Sequence, residues 1–257
     1  MPAMWTALIR DVSPTLGACE LTHLEREPID VERAQAQHRG YRLALEELGC
    51  EVLELEPLPD QPDAVFVEDT AIVLDELAVL TRPGAASRRP ESESVADVLD
   101  AFRPIVRLEA PATLDGGDVV QIGRRLYVGR SGRSNAAGLE QLQALVGGRG
   151  YEVRGVDVTG CLHLKSAVTA VSDSAVLLNP AWVDADAFAD HARIEVDPGE
   201  PFAANVVRVG SRVLHTEGFP CTRARLEAHG LDVLSVDVSE LAKAEGALTC
   251  CSLLVQG

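Results

Sequence analysis

Residues 245–255 of the chain read EGALTCCSLLV, and the rest of the sequence is organised around this stretch. Two adjacent cysteines, Cys250 and Cys251, open a short apolar run that is typical of a β-strand. Neighbouring side chains of a strand point to opposite faces of its sheet, so we expect one thiol to pack into the core and the other to face a cavity. Taken alone, two such cysteines are more typical of core packing than of a reactive site.

The composition is that of an ordinary globular protein. Of the 257 residues, 46% are hydrophobic and 25% are charged, and no apolar run approaches the ~20 residues of a membrane span. The N-terminus lacks the basic and apolar regions of a secretory signal, and six cysteines in a chain of this length are not a disulfide framework. We therefore predict a reduced, cytoplasmic setting without a membrane partner.

The formal net charge of −17 limits the choice of partners. Nucleic acid is disfavoured, because phosphate binding needs a basic face. An acidic protein is compatible with a small cationic ligand, whose approach its field could steer. The sequence leaves a homodimer open.

A strand–strand–helix–strand pattern recurs along the chain with a period of roughly 40–50 residues, which is typical of repeated supersecondary units. The first strands of the units are predicted at residues 65–74, 118–122, 163–170, 205–209 and 248–255. The helices are predicted at residues 32–48, 91–102, 136–146, 184–191 and 222–229. The fifth unit lacks its later elements, which residues 5–55 can supply. We therefore predict one closed α/β domain over residues 1–257, with five units in a propeller-like ring.

Each unit carries polar or reactive residues where it enters its first strand. They are Glu68 and Asp69, then Asp115 to Asp118, then His163 and Lys165, then Asn205, then Thr249 and Cys250. In a ring these positions converge on the centre, where a thiol, a histidine and carboxylates form the set that a nucleophilic site needs. Singly, the acids could be solvated strand ends and the histidine a core residue. Their recurrence at one phase of the repeat favours a site.

A structural zinc site is the rival use of cysteine and histidine. The chain has no paired C-x-x-C spacing, and neither Cys161-x-His163 nor the Cys250–Cys251 pair has the spacing of structural zinc ligands. We predict no metal and no organic cofactor, although a Cys–His cavity could bind zinc adventitiously.

Five ordered motifs, at residues 63–69 (DAVFVED), 81–89 (TRPGAASRR), 113–118 (TLDGGD), 163–166 (HLKS) and 248–252 (LTCCS), resemble those of the dimethylarginine dimethylaminohydrolase family. This family belongs to the guanidine-modifying pentein superfamily. The resemblance implies a five-bladed α/β propeller, the pentein fold. It also implies hydrolysis of Nω-methylated arginines, asymmetric dimethylarginine and monomethylarginine, to citrulline and a methylamine through a covalent cysteine thiouronium.

The same resemblance implies roles for individual residues. Cys250 matches the nucleophile, Cys251 the neighbour that packs away, His163 the general acid/base and Asp115 the acidic residue beside it. The implied substrate contacts are Asp69 and Glu68 at the guanidinium, Asp63 in the first motif, Arg88 and Arg133 at the amino-acid end, and Leu21 or His23 in the lid loop.

Three alternatives remain beside this interpretation. Arginine and agmatine deiminases resemble the chain but typically carry His-x-Asp where it has His163-Leu164-Lys165, and the missing carboxylate leaves room for methyl groups. A ring that only binds a ligand is the alternative from another class, and the full set of Cys250, His163, Asp115 and Asp69 argues against it. A cysteine peptidase is disfavoured, because a carboxylate-rich pocket suits a cation.

Overall fold

The computed structural model describes residues 4–257. The described residues contain 15 strands and six α-helices. The strands are β1 (Trp5–Ile9), β2 (Cys50–Glu54), β3 (Ala71–Val73), β4 (Ala78–Leu80), β5 (Ile105–Arg107), β6 (Val119–Ile122), β7 (Arg125–Arg130), β8 (Glu152–Asp157), β9 (Val168–Ala170), β10 (Ala175–Leu178), β11 (Ala192–Glu195), β12 (Val207–Val209), β13 (Arg212–Thr216), β14 (Asp232–Val236) and β15 (Leu253–Gln256). The helices are α1 (Val31–Glu47), α2 (Glu91–Leu99), α3 (Ala136–Val146), α4 (Leu164–Ala167), α5 (Pro220–Ala228) and α6 (Ser239–Ala242).

The strands form five separate sheets of three strands each. In every sheet the middle strand pairs antiparallel with the first strand and parallel with the third. A parallel pair needs a crossover connection, which is why a helix or turn lies between the second and third strands of each unit. The predicted repeat of α/β units is confirmed.

The fifth sheet joins the two ends of the chain. Its order is β15-β1-β2, with Leu253 opposite Leu8 and Gln256 opposite Trp5 in the antiparallel pair. Helix α1 crosses from β1 to β2, and its buried Tyr41 hydroxyl is 2.7 Å from the Ser252 hydroxyl, just before β15. The prediction that the N-terminal segment completes the unit begun by the C-terminal cysteines is therefore confirmed.

Helix α1 begins and ends as the sequence indicates. The Asp30 side chain accepts a hydrogen bond from the Arg33 N–H and so caps the first turn. Gly49, just beyond the helix, has φ of 95°, a left-handed conformation that glycine adopts without strain. The face that carries Ala34, Tyr41 and Leu45 is buried in the core. Burial of such a face contributes most of a helix's stability.

The first strand of four units is shorter than predicted, because a helical turn precedes it. We call these four segments the inner turns; they are the 3-10 turns Val67–Thr70, Gly116–Asp118 and Thr249–Cys251, and helix α4. The strand predictions required residues 67–70, 118, 164–167 and 249–251 to be extended, and in the structure they are helical instead. The turn at Val67–Thr70 contacts the turns at Gly116–Asp118 and Thr249–Cys251, and the turn at Gly116–Asp118 contacts α4. The inner turns therefore bring distant motifs together.

The predicted helix at residues 184–191 is wrong. Only the 3-10 turn Ala185–Phe188 forms there, capped by the Asp184 side chain, which accepts from the Asp186 N–H. Aspartates at positions 186 and 190 are poor helix formers, so the segment does not extend beyond one turn. Among residues 4–257, no helix is both long and apolar enough to cross a membrane.

Candidate active site

Six of the predicted site residues line one small pocket beside the inner turns. They are Asp63, Asp69, Arg88, Arg133, His163 and Cys250. The cavity has a volume of about 20 Å³, which is room for roughly one water molecule. The pocket is therefore closed in this structure.

His163 is held between two carboxylates. Its Nε2 lies 3.0 Å from an Asp115 oxygen, and its Nδ1 lies 3.8 Å from an Asp69 oxygen. Burial disfavours the charged imidazolium, but the Asp69 charge and the hydrogen bond with Asp115 outweigh it and raise the pKa of His163 to about 9. The imidazole is therefore protonated at neutral pH and can act as a general acid.

Cys250 lies at the middle of the inner turn Thr249–Cys251 and lines the pocket. Burial raises the pKa of its thiol well above the ordinary value, and the nearby Glu68 and Asp69 charges raise it further. The free protein therefore holds Cys250 as a neutral thiol.

Cys251 lies in the core cluster that packs on α1, and its thiol donates to the Ala247 carbonyl at 3.5 Å.

The predicted division between the two cysteines holds, but the predicted reason for it is wrong. Strand alternation cannot separate them, because both lie on a 3-10 turn and the strand begins only at Leu253. Successive side chains of such a turn point about 120° apart around its axis. That rotation places Cys250 at the pocket and Cys251 in the core.

Asp69 and Arg88 form a buried ion pair at the pocket wall. Asp69 also accepts from the Gly117 N–H at 3.0 Å. Burial would raise the pKa of Asp69, but the His163 and Arg88 charges outweigh it and lower that pKa. Arg88 additionally donates to Glu91 at 3.2 and 2.8 Å and to the Phe66 carbonyl at 2.8 Å, so its donors are engaged within the protein.

Three predicted substrate residues do not line the pocket, namely Glu68 and the two lid-loop alternatives, Leu21 and His23. Glu68 turns away from it and accepts from the Lys165 ammonium at 2.6 Å and the Thr249 hydroxyl at 2.7 Å. This cluster borders a wide cleft on the other side of the inner turns. Leu21 is half-buried against the core cluster that includes Tyr41. In this geometry, the side chains of Glu68 and Leu21 do not contact a ligand in the pocket directly.

Sequence reasoning missed two residues that support the site, Glu91 and Asp118. Glu91 holds Arg88 from the first turn of α2, and the i, i+3 spacing of an acid after an arginine is the signal that could have revealed it. Asp118 accepts from the Leu164 N–H at 3.0 Å and from Ser134 at 2.6 Å, so it fixes the start of α4 beside His163. Its motif was recognised, but no pattern in the sequence predicts these partners.

One set of side chains could offer ligands to a metal ion. Oxygen atoms of Asp69 and Asp115 and a ring nitrogen of His163 lie within 4.8 Å of one another. Each of these donors already has a protein partner, and the Arg88 guanidinium lies against Asp69. These carboxylates instead pair with charged side chains: Asp69 pairs with Arg88, and both carboxylates orient the His163 imidazole and favour its protonated form.

Comparison with known proteins identifies the family. The N(G),N(G)-dimethylarginine dimethylaminohydrolase of Streptomyces coelicolor is 42% identical over 248 residues, which cover 96% of this chain and 95% of the Streptomyces enzyme. The chain belongs to the dimethylarginine dimethylaminohydrolase family. The enzyme of the same name from Pseudomonas aeruginosa is 35% identical over 226 residues, 87% of this chain and 89% of its own. No family model matches the chain.

Solved structures of dimethylarginine dimethylaminohydrolase agree with this placement. A cysteine-to-serine mutant of the Pseudomonas aeruginosa enzyme complexed with citrulline superposes with a TM-score of 0.93 and 33% identity, over 98% of this chain and 100% of that one. An adduct of a histidine-to-glycine form of a dimethylarginine dimethylaminohydrolase with S-methyl-L-thiocitrulline has a TM-score of 0.92. The N-terminal domain of ArgZ, an arginine dihydrolase from cyanobacteria, is only 21% identical at a TM-score of 0.84 and shows the shared fold alone.

Proposed function

We propose that this chain hydrolyses Nω-methylated arginines, asymmetric dimethylarginine and monomethylarginine, to citrulline and a methylamine. The observation that carries the proposal is that the Cys250 thiol shares one small pocket with the His163 imidazole and the Asp69 carboxylate. Citrulline, bound by the Pseudomonas relative, is the product that this reaction requires. No metal or organic cofactor has a task in the scheme.

Substrate binding follows from the charges of the pocket. A guanidinium is a delocalised cation that a carboxylate can hold through paired hydrogen bonds, and Asp69 is the carboxylate beside the reacting groups. Arg133 also lines the pocket and suits the substrate's α-carboxylate through its fork of donors, and Asp63 suits the α-ammonium. Arg88 could bind the same α-carboxylate only if it released its present ion pairs with Asp69 and Glu91. Its predicted contact with the amino-acid end of the substrate therefore stays a prediction.

The chemistry proceeds in two steps. The bound cation favours ionisation of Cys250, whose proton passes to solvent, and the thiolate attacks the guanidinium carbon. As the C–N bond breaks, His163 gives its proton to the departing methylamine, and a thiouronium remains on the sulfur. The neutral imidazole then takes a proton from water as the water oxygen bonds to the carbon. The C–S bond breaks as the remaining proton of that oxygen passes to the sulfur, which releases citrulline and restores the Cys250 thiol. Asp115 orients the imidazole through the hydrogen bond at Nε2.

The five sheets support a finer description of the fold. They suit a five-bladed α/β propeller of the pentein type over residues 1–257, with the inner turns around its centre and the ends of the chain joined in one blade. A cytoplasmic setting remains the prediction for the location.

An assay for the ureido product on four substrates tests the function; the product is citrulline from the three arginines and N-carbamoylputrescine from agmatine. We expect asymmetric dimethylarginine and monomethylarginine to react, and arginine and agmatine to have kcat/KM values lower by about 100-fold or more. The reason is that Lys165 is turned away and paired with Glu68, so no carboxylate at that position clamps an unmethylated terminal nitrogen. Faster turnover of arginine or agmatine would assign the chain to the deiminases instead.

Gly117 provides a test of the site's geometry. A Cβ atom built there would lie 2.6 Å from Nδ1 of His163 and 2.8 Å from a carboxylate oxygen of Asp69. Because an ångström of misplacement can cost on the order of 10²-fold in rate, we expect Gly117→Ala to lower kcat by about that factor. Gly148→Ala is the matched control, since nothing lies within 4 Å of its added Cβ. Equal kcat values for the two variants would contradict the proposed arrangement.

A further inference from the structure

We propose that Glu245 is a positioning residue that latches the loop of residues 20–24 over the pocket. Its carboxylate accepts hydrogen bonds from the backbone N–H groups of three consecutive residues, Thr22, His23 and Leu24, at N···O distances of 2.5–3.0 Å. Glu245 also lines the pocket, five positions before Cys250. The kinetic consequences of the latch rest on the proposed function, whereas its effect on the loop does not.

The three N–H groups form a binding concavity for an anion. Successive backbone N–H groups that converge on one point are a known device for holding negative charge, and bonds to a carboxylate are stronger than bonds between neutral groups. Here the anion is the protein's own Glu245. Its backbone has φ of 57°, the only positive value among the described non-glycine residues. Such a conformation is unfavourable for glutamate and persists where the surroundings impose it.

The loop is fastened at its other points by residues that also belong to the pocket. The Glu20 N–H donates to both oxygens of Asp63, at 3.1 and 3.3 Å, and Arg133 donates to the Thr22 hydroxyl at 3.0 Å. Asp63, Arg133 and Glu245 thus hold the loop and line the cavity at the same time. The position of the loop is therefore coupled to what occupies the pocket.

The closed pocket must open to admit a ligand. Its volume of about 20 Å³ leaves room for roughly one water molecule, far less than an amino acid needs. The Cys250 residue is only 9% exposed, whereas Cys221 at the start of α5 is exposed and Cys251 is fully buried. Loss of the latch should therefore expose Cys250 more often without exposing Cys251.

Native-state thiol alkylation and hydrogen exchange test the latch without substrate. The variant is Glu245→Gln, and the control is Glu140→Gln, the same change on the exposed face of α3. In Glu245→Gln we expect iodoacetamide to modify Cys250 about tenfold faster and the amides of residues 22–24 to exchange about tenfold faster. Cys221 should react at one rate in all proteins, and Cys251 should stay unmodified.

Each other outcome overturns the proposal. Faster alkylation of Cys250 without faster exchange of the loop amides would mean that Glu245 acts only through its charge on the thiol. Joint reaction of Cys250 and Cys251 would mean that the variant loosens the core. No change in either measurement would mean that the carboxylate does not hold the loop.

Steady-state kinetics separates the latch from the proposed function. With dimethylarginine, Glu245→Gln should raise KM by about tenfold and leave kcat within about threefold, because the latch retains the ligand and takes no part in bond breaking. If the wild-type chain failed to hydrolyse dimethylarginine, the proposed function would fall while the exchange and alkylation results stood. A loss of kcat with unchanged KM would contradict the positioning role.

Discussion

A Cys250→Ser variant is expected to lose on the order of 10³-fold or more in kcat for dimethylarginine. A hydroxyl has the shape of the thiol but is a much weaker acid, so a bound cation that can ionise a cysteine cannot ionise a serine. Burial and the Glu68 and Asp69 charges already raise the pKa of the Cys250 thiol. The same surroundings would disfavour ionisation of a serine hydroxyl at this position even more strongly. Citrulline formation under saturating substrate measures the loss.

Cys251→Ala is the matched control, because the adjacent thiol shares the turn but not the pocket. We expect its kcat to stay within about threefold of the wild-type value, while the free energy of unfolding falls by about 1–2 kcal/mol through the cavity left in the core. Full activity in Cys250→Ser, or a loss of activity in Cys251→Ala with the fold intact, would reverse the assignment of the nucleophile. Circular dichroism of both variants separates lost chemistry from lost structure.

The second large effect is expected at His163. Replacement by glutamine should lower kcat by about 10²–10⁴-fold, because the proton for the departing amine and the base for the attacking water both disappear. The variant should still form the covalent adduct with S-methyl-L-thiocitrulline, since a thiolate leaves without a proton. Mass spectrometry of the intact protein would then show the adduct accumulating in His163→Gln. Absence of any adduct would place the histidine in thiolate formation instead.

The same residue predicts how stability depends on pH. The folded pKa of about 9 exceeds the ordinary value of 6.5. The stabilisation is therefore fully present below pH 6.5 and is lost as pH rises toward 9. In that window the folded protein binds one more proton than the unfolded chain, so this group should lower the free energy of unfolding by about 1.4 kcal/mol per pH unit. Urea titrations of the wild type and His163→Gln should differ by this slope, and parallel curves would contradict the raised pKa.

The sequence predicted the repeat because each sheet is built from local signals. Apolar runs of strand length, the Asp30 cap and Gly49 at the end of α1 locate most elements within a few residues. The same signals failed at the inner turns, since the apolar residues that follow a motif do not reveal where extended backbone begins. They also failed at residues 184–191, where alternating aspartates limit the segment to one turn.

In the candidate site, the residues that are proposed to react were predictable from the sequence, but their supporting contacts were not. Cys250, His163 and Asp115 follow from recurring positions and from the family motifs. The pairing of Arg88 with Asp69 joins charges that no periodicity relates. The turn of Glu68 toward Lys165 likewise depends on how two inner turns pack. Each is a choice among several oppositely charged neighbours, and only the packed arrangement decides it.

By itself, the sequence determined that five α/β units repeat, that the two ends of the chain share one unit, and which residue types are available for the proposed chemistry. These properties are encoded in local patterns of hydrophobicity, caps and motifs. Only the tertiary structure decided how the two cysteines are kept apart, because a 3-10 turn and not a strand orients Cys250 and Cys251. It also decided that Glu245 holds the loop at residues 22–24, since more than 200 residues separate these partners and their contact exists only once the ends of the chain have been brought together.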